Sequence, residues 1–260
     1  VVLATDAGSL SGVTDNTDGT YTATLTSSTS VETATVTGTL DGSAITDNAT
    51  VDFTIGTADP TTSTAVVPAG TAGQATTVTV TVRDAGNNQV SGEAANLAGS
   101  VTGANTAALS AATEEADSTY TMTYTPTAAG TDQVAITLNA TGISGSPYSS
   151  AVSPGAASTA TSTITAAPTS ITADGATTST ITVQLKDTNN NDLTASGGTV
   201  ALSTTAGSLG PVTDNNDGTY TATLTSSTTV ETATITGTLD LAAITDDATV
   251  DFTIDRTSAV

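Results

Sequence analysis

The sequence predicts an all-β chain built from tandem antiparallel sandwiches, and two observations lead to this fold class. The first is an alternation of polar and apolar residues, and the second is a long internal repeat. In Thr219–Thr225, threonine takes every other position, and Tyr220, Ala222 and Leu224 stand between the threonines. This period of two is typical of a strand with one buried face and one solvent-exposed face. No segment combines a period of 3.6 residues with capping signals, so we expect no substantial helix.

The same alternation marks strands throughout the chain. Apolar residues occupy every second position in four further segments, at 78–82, 134–138, 181–185 and 250–254. Turn sequences rich in Asp, Asn and Gly separate such segments, at 84–88, 187–192 and 214–218. About seven short strands per hundred residues is the density of an immunoglobulin-like sandwich. We therefore predict tandem immunoglobulin-like antiparallel β-sandwiches in an extended rod.

The internal repeat defines the size of the units. Residues 3–55 align without a gap with residues 202–254, and 43 of the 53 positions are identical. The stretch 18–29 returns unchanged as 217–228. The segment between the two copies is related to them more distantly. Its strand sequences recur, with less identity, about 100 residues later. The chain therefore consists of similar units of about 100 residues.

Three units follow from these alignments. We assign residues 1–55 to the C-terminal part of one domain, 59–152 to a complete second domain and 156–254 to a complete third domain. A half sandwich exposes its core and its strand edges. We expect the chain to be a window of a longer polypeptide, and completion by a neighbouring chain is the alternative.

The linkers between the units are short. They lie at 56–61, which contains Pro60, and at 153–157, which contains Pro154. Proline stiffens a linker, so these two favour an extended string of domains over flexibly tethered ones.

The composition excludes several classes of function. The chain has 25 acidic and three basic residues, a net charge of −22, and no histidine, cysteine or tryptophan. Thiolate zinc sites, iron–sulfur clusters and histidine-dependent nucleophiles are therefore excluded. Nucleic acid and anionic membranes require clustered Lys and Arg, which this chain lacks. No apolar run approaches the length of a membrane span.

Aspartates near the ends of the units are candidate calcium ligands. Asp52 and Asp59 lie near the first junction, and Asp251 and Asp255 lie near the end of the third unit. A divalent ion there would stiffen the rod and offset the repulsion between acidic groups. Ordinary solvated carboxylates are the alternative, and we expect no other cofactor.

One motif partly matches a calcium loop. Asp187-x-Asn189-x-Asn191 is like the start of an EF-hand, but position 6 is Asp192 and position 12 is Gly198. The EF-hand requires glycine and a bidentate glutamate at those two places. The motif therefore predicts a hairpin turn rather than a calcium site.

The densest acidic pairs, Asp214/Asp217 and Asp246/Asp247, also lie in predicted turns. Paired carboxylates perform general acid–base chemistry in glycosidases. Turn aspartates usually bond the backbone, and the chain has very few aromatic residues to hold a sugar. We expect no enzymatic activity.

The aromatic and basic residues repeat with the units. Tyr21, Tyr120 and Tyr220 occupy equivalent positions, as do Phe53 and Phe252, and we predict that all five are core residues. Two of the basic residues, Arg83 and Lys186, stand at equivalent strand ends and are each followed by aspartate. They predict surface ion pairs of small energetic value.

Two family resemblances rest on particular residues. The middle unit contains three stretches with the spacing of the last strands of filamin-type immunoglobulin repeats, which it resembles: 120–126, Ala129-Gly130 and 143–148. The third unit, and the first with it, resembles the bacterial immunoglobulin-like repeats of the invasin and intimin adhesins. The residues that carry this resemblance in the third unit are 182–187, 207–209 and 217–220. Such repeats typically form stalks of large bacterial surface proteins.

We therefore predict a structural stalk or spacer segment of a large bacterial surface or secreted adhesin or filament, located outside the cell. The expected partners are neighbouring domains of the same chain, with other copies or host ligands contacted through further domains. Two alternatives stay open. One is a glycan- or protein-binding module, and the other is a subunit of an extracellular polymer in which a neighbouring chain completes the first unit.

Overall fold

Strands and turns make up nearly all of the structure, a computed structural model that describes residues 1–254. The only helical element in this range is a single 3₁₀ turn at Ala94–Asn96. No helix among the described residues is long and apolar enough to cross a membrane. The all-β fold class is confirmed. Below, unit 1 is residues 1–55, unit 2 is residues 59–152 and unit 3 is residues 156–254.

The strands are numbered in chain order. Unit 1 contains β1 Val2–Thr5, β2 Ser9–Leu10, β3 Thr14–Asp15, β4 Tyr21–Thr22, β5 Leu25–Thr26, β6 Glu32–Leu40, β7 Ser43–Ala44 and β8 Ala49–Phe53. Unit 2 contains β9 Thr64–Val66, β10 Gly70–Thr71, β11 Thr76–Thr81, β12 Leu97–Gly103, β13 Ala107–Ala108, β14 Thr113–Glu114, β15 Tyr120–Tyr124, β16 Gly130–Leu138, β17 Thr141–Gly142 and β18 Tyr148–Ser153. Unit 3 contains β19 Thr163–Ala167, β20 Ser170–Thr172, β21 Thr178–Gln184, β22 Val200–Thr204, β23 Ser208–Leu209, β24 Thr213–Asp214, β25 Thr219–Thr225, β26 Glu231–Leu239, β27 Ala242–Ala243 and β28 Ala248–Thr253.

Unit 3 is a complete two-sheet sandwich. One sheet has the order β19-β21-β25-β23, and the other has the order β20-β28-β26-β22. Strand β21 pairs with β25 along its whole length, from Thr178 opposite Thr225 to Gln184 opposite Thr219. The apolar residues of both sheets, such as Val183 and Ile235, are fully buried between them. The alternation read from the sequence therefore gives one inward face and one outward face.

Unit 2 has the same architecture. Its sheets have the orders β14-β15-β11-β9 and β10-β18-β16-β12-β13. Strand β11 pairs with β15 as β21 pairs with β25, and Val78, Val80 and Tyr120 are fully buried.

The first strand of each complete sandwich divides between the two sheets. Strand β9 lies in one sheet and β10 in the other, and β19 and β20 do the same. Pro68 and Pro168 stand between the two halves, and proline cannot donate a hydrogen bond to a sheet ladder. The second halves, β10 and β20, pair in parallel with β18 and β28, so the sandwiches are antiparallel except at these short edges.

Unit 1 differs from unit 3 although the sequences are nearly the same. Strand β25 is one seven-residue strand, but the identical residues of unit 1 form only the two short strands β4 and β5. The prediction that the equivalent tyrosines are core residues is confirmed for Tyr120 and Tyr220, and the exposed fraction of Tyr220 is 3%. The prediction is wrong for Tyr21, whose exposed fraction is 41%. The physical reason is that unit 1 has no counterpart of β21, so this segment pairs only with the short strands β2 and β3, and its apolar face stays open.

A matched pair of substitutions tests this difference. Leu224 is fully buried, whereas Leu25, in the identical local sequence, is only partly buried. We expect Leu224→Ala to destabilise unit 3 by about 2–5 kcal/mol, because it leaves a cavity in a closed core. Leu25→Ala should cost less than half as much. Hydrogen exchange in denaturant, followed by mass spectrometry, reports the two units separately, and equal effects would contradict the open-core description.

Candidate functional site at the two junctions between units

In each complete sandwich an aspartate follows the end of β11 or β21 by three residues and lies against the linker. Asp84 and Asp187 are 4% and 0% exposed. At the first junction the Gly56 amide donates a hydrogen bond to Asp84 Oδ2 at 2.8 Å. At the second junction the Gly155 amide donates to Asp187 Oδ2 at 2.8 Å. Each linker is therefore bonded to the unit that follows it.

The same carboxylates organise the turn after the strand. The Asn88 amide donates to Asp84 Oδ1 at 2.8 Å, and the Asn191 amide donates to Asp187 Oδ1 at 2.9 Å. The side-chain Nδ2 of each asparagine donates to the same aspartate, at 3.0 Å and 2.8 Å. This is the local chemistry that Asp and Asn supply in turns, and it holds each asparagine side chain in one orientation.

The oriented asparagines then reach the preceding unit. An asparagine NH₂ group has two donors, so one can bond the aspartate while the other bonds elsewhere. Asn88 Nδ2 donates to the Thr29 carbonyl at 2.7 Å. Asn191 Nδ2 donates to the Thr127 carbonyl at 2.8 Å, and Asn191 Oδ1 accepts from the Ala129 amide at 2.9 Å. Each carboxamide thus bridges two units.

We call these two arrangements the Asp–Asn clasps. Clasp 1 is formed by Gly56, Asp84 and Asn88, and clasp 2 by Gly155, Asp187 and Asn191. At the start of each following unit, the Asp59 and Ser158 amides donate to the carbonyls of Arg83 and Lys186 at 2.7 Å and 2.8 Å. Both linkers are therefore fixed to the following unit in the same way.

Clasp 2 holds a loop that is itself anchored in the core of unit 2. The amides of Thr127 and Ala128 both donate to Asn105 Oδ1 at 2.9 Å. The Asn105 amide in turn donates to Asp132 Oδ1 at 2.8 Å, and the Tyr124 hydroxyl donates to Asp132 Oδ2 at 3.2 Å. Asp132 is completely buried, and these donors take the place of a basic partner. The hydrogen-bonded network therefore runs from the core of unit 2 into unit 3.

Clasp 1 lacks this anchor. Ala34 stands at the third position of β6, where β16 has Asp132. Beside clasp 1 lies an open cavity of about 480 Å³. Loop residues of unit 1, the end of β8 with Thr54, and the turn of Asp84 and Asn88 form its walls. The first junction therefore has a cavity beside its clasp and no buried anchor like Asp132.

The hydrogen bonds lower the pKa of both clasp carboxylates. The Asn88 side chain and then the Gly56 amide hold the pKa of Asp84 below its ordinary value of 3.8. Burial works to raise the pKa of Asp187, but the Asn191 side chain and the Gly155 amide outweigh it, and that pKa is also lowered. Both groups are therefore carboxylates at neutral pH, as their acceptor role requires.

The predicted calcium ligands have other contacts in this structure. Asp52 Oδ1 accepts from the Thr33 hydroxyl across the strand pair at 2.7 Å, and Asp251 Oδ1 accepts from the Thr232 hydroxyl at 2.6 Å. Asp59 Oδ1 accepts from the amide and the hydroxyl of a nearby threonine, both at 2.8 Å. Within residues 1–254 no group of three or more acidic side chains is placed to hold a metal ion. Asp255 lies outside the described residues.

The other acidic residues and Lys186 adopt the expected local roles, whereas the ion pair predicted for Arg83 is wrong. The EF-hand-like motif is a hairpin turn, since Asp187 Oδ1 also accepts from the Asn189 amide at 2.9 Å. Asp214 and Asp217 accept from backbone amides two residues later, at 2.8 Å and 2.9 Å. Asp246 Oδ2 accepts from a strand amide at 2.8 Å. Lys186 forms an ion pair with Asp192, whereas Arg83 donates to the backbone carbonyl of Asn87 at 2.9 Å.

Sequence reasoning identified the turns of both clasps but missed their role between units. The available signal was positional: Asp84 and Asp187 recur 103 residues apart, and each follows a linker by about 30 residues. Reasoning from distance along the chain favoured Asp52 and Asp59 instead.

Comparison with protein families explains the repeat pattern. Residues 1–56 and 158–255 match the family model described as invasin, domain 3. The chain belongs to the invasin domain 3 family. Residues 57–149 match the filamin/ABP280 repeat model, so a domain of a second type lies between the two invasin-type units. Immunoglobulin-like domains of adhesins and invasins are typically non-enzymatic.

Solved structures agree with this assignment. The Escherichia coli adhesin FdeC is 26% identical, with a TM-score of 0.59 over 97% of this chain and 85% of that chain. The bacterial integrin-binding protein invasin is 21% identical, with a TM-score of 0.55, and supports the fold. This chain covers 97% of its own length in that match and 52% of the invasin chain. The invasin-family chain is therefore a run of adhesin-type immunoglobulin-like domains.

The asparagine of clasp 2 provides a direct test. Asn191→Ala removes both hydrogen bonds to unit 2, so we expect units 2 and 3 to reorient more freely while each stays folded. Residual dipolar couplings give the alignment tensor of each unit, and the tensors of units 2 and 3 should differ more in the variant. Asn215→Ala is the matched control, because its Nδ2 bonds only Thr219 within an exposed turn of unit 3. An equally large difference between the two alignment tensors in the control would show that clasp 2 does not restrict the relative orientation of units 2 and 3.

The lowered pKa values predict a pH dependence of the junctions. A carboxylate with a lowered pKa stabilises the structure above its ordinary pKa, and that contribution is lost as the pH falls through the folded-state value. We therefore expect the orientation of the units to be constant from pH 7 to about 4 and to loosen below the ordinary value of 3.8. X-ray scattering across this range measures the change. The Asp84→Asn/Asp187→Asn double variant should be loose already at pH 7 and show little further change.

Proposed function

We propose that this chain is a stalk segment that holds successive domains in a fixed relative orientation. The observation that carries the proposal is the presence of the same Asp–Asn clasp at both junctions. Clasp 1 is formed by a filamin-type domain and clasp 2 by an invasin-type domain. Domains of two families therefore fix their N-terminal linkers by the same contacts, which favours a role for the junction geometry itself.

The energetics support restricted motion at each junction. A net contribution of about 0.5–1.5 kcal/mol is typical of one hydrogen bond, and bonds to charged groups contribute about 1.5–3 kcal/mol. Each clasp combines a charged acceptor, a short linker and one or two bonds between units. The linkers also contain proline, at Pro60 and Pro154, which limits their conformations.

The charge of the chain favours an extended arrangement. With a net charge of −22, adjacent units repel each other at neutral pH. The hydrogen bonds between units join only neighbours, at Asn88 with unit 1 and at Asn191 with unit 2, within residues 1–254. Repulsion thus extends the chain while the clasps prevent free rotation.

The surface and the relatives support a location outside a bacterial cell. Threonine makes up 65 of the 260 residues, and basic residues are rare, which leaves few sites for trypsin-like proteases. FdeC is named as an adhesin and invasin as a bacterial integrin-binding protein. We propose that this segment projects adhesive or anchoring domains from the cell and has no catalytic role of its own.

Distance measurements between units test the proposal. The chain has no cysteine, so Thr106→Cys in unit 2 and Ala243→Cys in unit 3 give two specific spin-label sites, both on exposed positions. We expect a narrow distance distribution in the full chain, and a broad one when Asn191→Ala is added. A broad distance distribution in the labelled chain with an intact clasp 2 would contradict the proposal of a stalk with fixed domain orientation.

The same labelled chain tests the need for calcium. Because the clasps are closed by hydrogen bonds, we expect the distance distribution and the melting temperature to be equal in EDTA and in millimolar calcium. A higher melting temperature with calcium would instead support metal ligands at Asp52, Asp59 or Asp251, and a calcium-stiffened rod would replace the present proposal.

A further inference from the structure

The linker enters each complete sandwich at one end, and the last strand leaves it at the other end. In unit 2, β9 and β10 follow the entry, and β18 leads to the exit. In unit 3, β19 and β20 follow the entry, and β28 leads to the exit. Tension along the chain therefore acts first on the divided first strand and on the last strand of each unit.

The direction of pairing decides how these strands carry a load. The second half of each first strand is parallel to the last strand, as β10 is to β18 and β20 is to β28. Tension pulls the start of one strand and the end of the other, so it slides the two strands past each other along their lengths. The hydrogen bonds between them run across the strands and carry the load together. The number and strength of these bonds therefore set the resistance to unfolding.

Unit 3 has the longer pairing in both halves of its first strand. Strand β20 pairs with β28 at three residues, from Ser170 to Thr172, whereas β10 pairs with β18 at two, Gly70 and Thr71. Strand β19 pairs with β21 at five residues, whereas β9 pairs with β11 at three. More bonds therefore have to break before unit 3 opens than before unit 2 opens.

The outer edge of the first half is also held by a stronger acceptor in unit 3. The Ile164 amide of β19 donates to Asp246 Oδ2 at 2.8 Å. The equivalent amide of β9, that of Ala65, donates to the Tyr148 hydroxyl at 3.0 Å. A hydrogen bond to a carboxylate is stronger than one to a neutral hydroxyl. This contact therefore adds to the difference in pairing.

Other bonds of the two first strands are matched and do not cancel this difference. The Ala72 and Ala173 amides each donate to the carbonyl of the last residue of the final strand, at 2.9 Å and 2.8 Å. The carbonyls of Pro68 and Pro168 each accept from one serine hydroxyl at 2.7 Å. The two units thus differ in the length of the pairing and in the acceptor at the outer edge.

We propose that unit 2 is the extensible element of this segment and that unit 3 resists extension. The inference rests on the proposed stalk function and adds a response to load. Under rising tension β10 and β18 separate first, and residues 59–152 unfold while unit 3 stays folded. At about 3.3–3.6 Å per residue, this lengthens the chain by about 300 Å. The lengthening lowers the tension on the contact that the stalk carries before unit 3 is lost.

Force spectroscopy on the full chain tests the order of unfolding. The chain has no cysteine, so Thr57→Cys and a cysteine added after Val260 are two specific attachment points. They load units 2 and 3 and leave unit 1 outside the path. A flexible insert of about 20 residues between Asp240 and Leu241, in an exposed turn, lengthens the increment of unit 3 by about 70 Å. Any loss of stability from the insert weakens unit 3 and so works against the expected order.

We expect the shorter increment, that of unit 2, to come first in most traces. At a constant force unit 2 should unfold about ten times faster than unit 3, which corresponds to a difference of one or two hydrogen bonds. Equal rates, or unit 3 unfolding first, would overturn the proposal.

A matched pair of substitutions tests the outer edge of β19. Asp246→Ala removes the acceptor of the Ile164 amide, so we expect unit 3 to unfold several-fold faster at the same force while the rate of unit 2 is unchanged. Asp247→Ala is the control, because it removes the same charge from an exposed side chain that makes no hydrogen bond within residues 1–254. An equal effect of the control would contradict the assignment of load to this bond.

The outcome is separable from the test of fixed orientation. A broad distance distribution between the spin labels, with unit 2 still unfolding first, would contradict the fixed orientation and leave the response to load intact. A narrow distribution with unit 3 unfolding first would overturn the response to load alone.

Discussion

Each complete sandwich depends on one pairing between two strands. One strand leads into the clasp, and the other carries the tyrosine that recurs in all three units. The pairing joins β11 to β15 and β21 to β25, and it places the apolar faces of both strands against the opposite sheet. Unit 1 shows what the pairing contributes. Without it, an identical sequence forms two dipeptide strands, and Tyr21 is exposed where Tyr220 is buried.

The same strand also determines the junction, because the clasp aspartate follows its end by three residues. Once β11 or β21 is paired, Asp84 or Asp187 is held at the end of the sandwich from which the linker enters. From there the carboxylate can accept bonds from the linker amide, the turn amide and the asparagine side chain. The closure of the core and the orientation of the preceding domain are therefore coupled through one strand.

The low content of basic residues explains why amides rather than cations stabilise the buried carboxylates. A buried charge requires a partner, and this chain has three basic side chains for 25 acidic ones. Among residues 1–254 the structure contains a single ion pair, between Lys186 and Asp192 at the surface. Asp84, Asp132 and Asp187 instead accept N–H and O–H donors from nearby backbone and side chains. Such sites form from groups that are already nearby, so they do not require basic side chains to be placed around each carboxylate.

The sequence by itself determined the strands, the turns and the three units. Alternation with a period of two and Asp- or Asn-rich turns are local signals, so β21, β25 and the turn after Asp187 were predictable. The long repeat predicted the unit boundaries. Only the tertiary structure decided which apolar residues are buried, since Tyr21 and Tyr220 share the same neighbours along the chain. It also decided which aspartates contact a linker. Distance along the chain favoured Asp52 and Asp59, whereas the fold places Asp84 and Asp187 against the linkers. Burial and contacts between domains depend on what the fold places opposite a residue, and no local pattern carries that information.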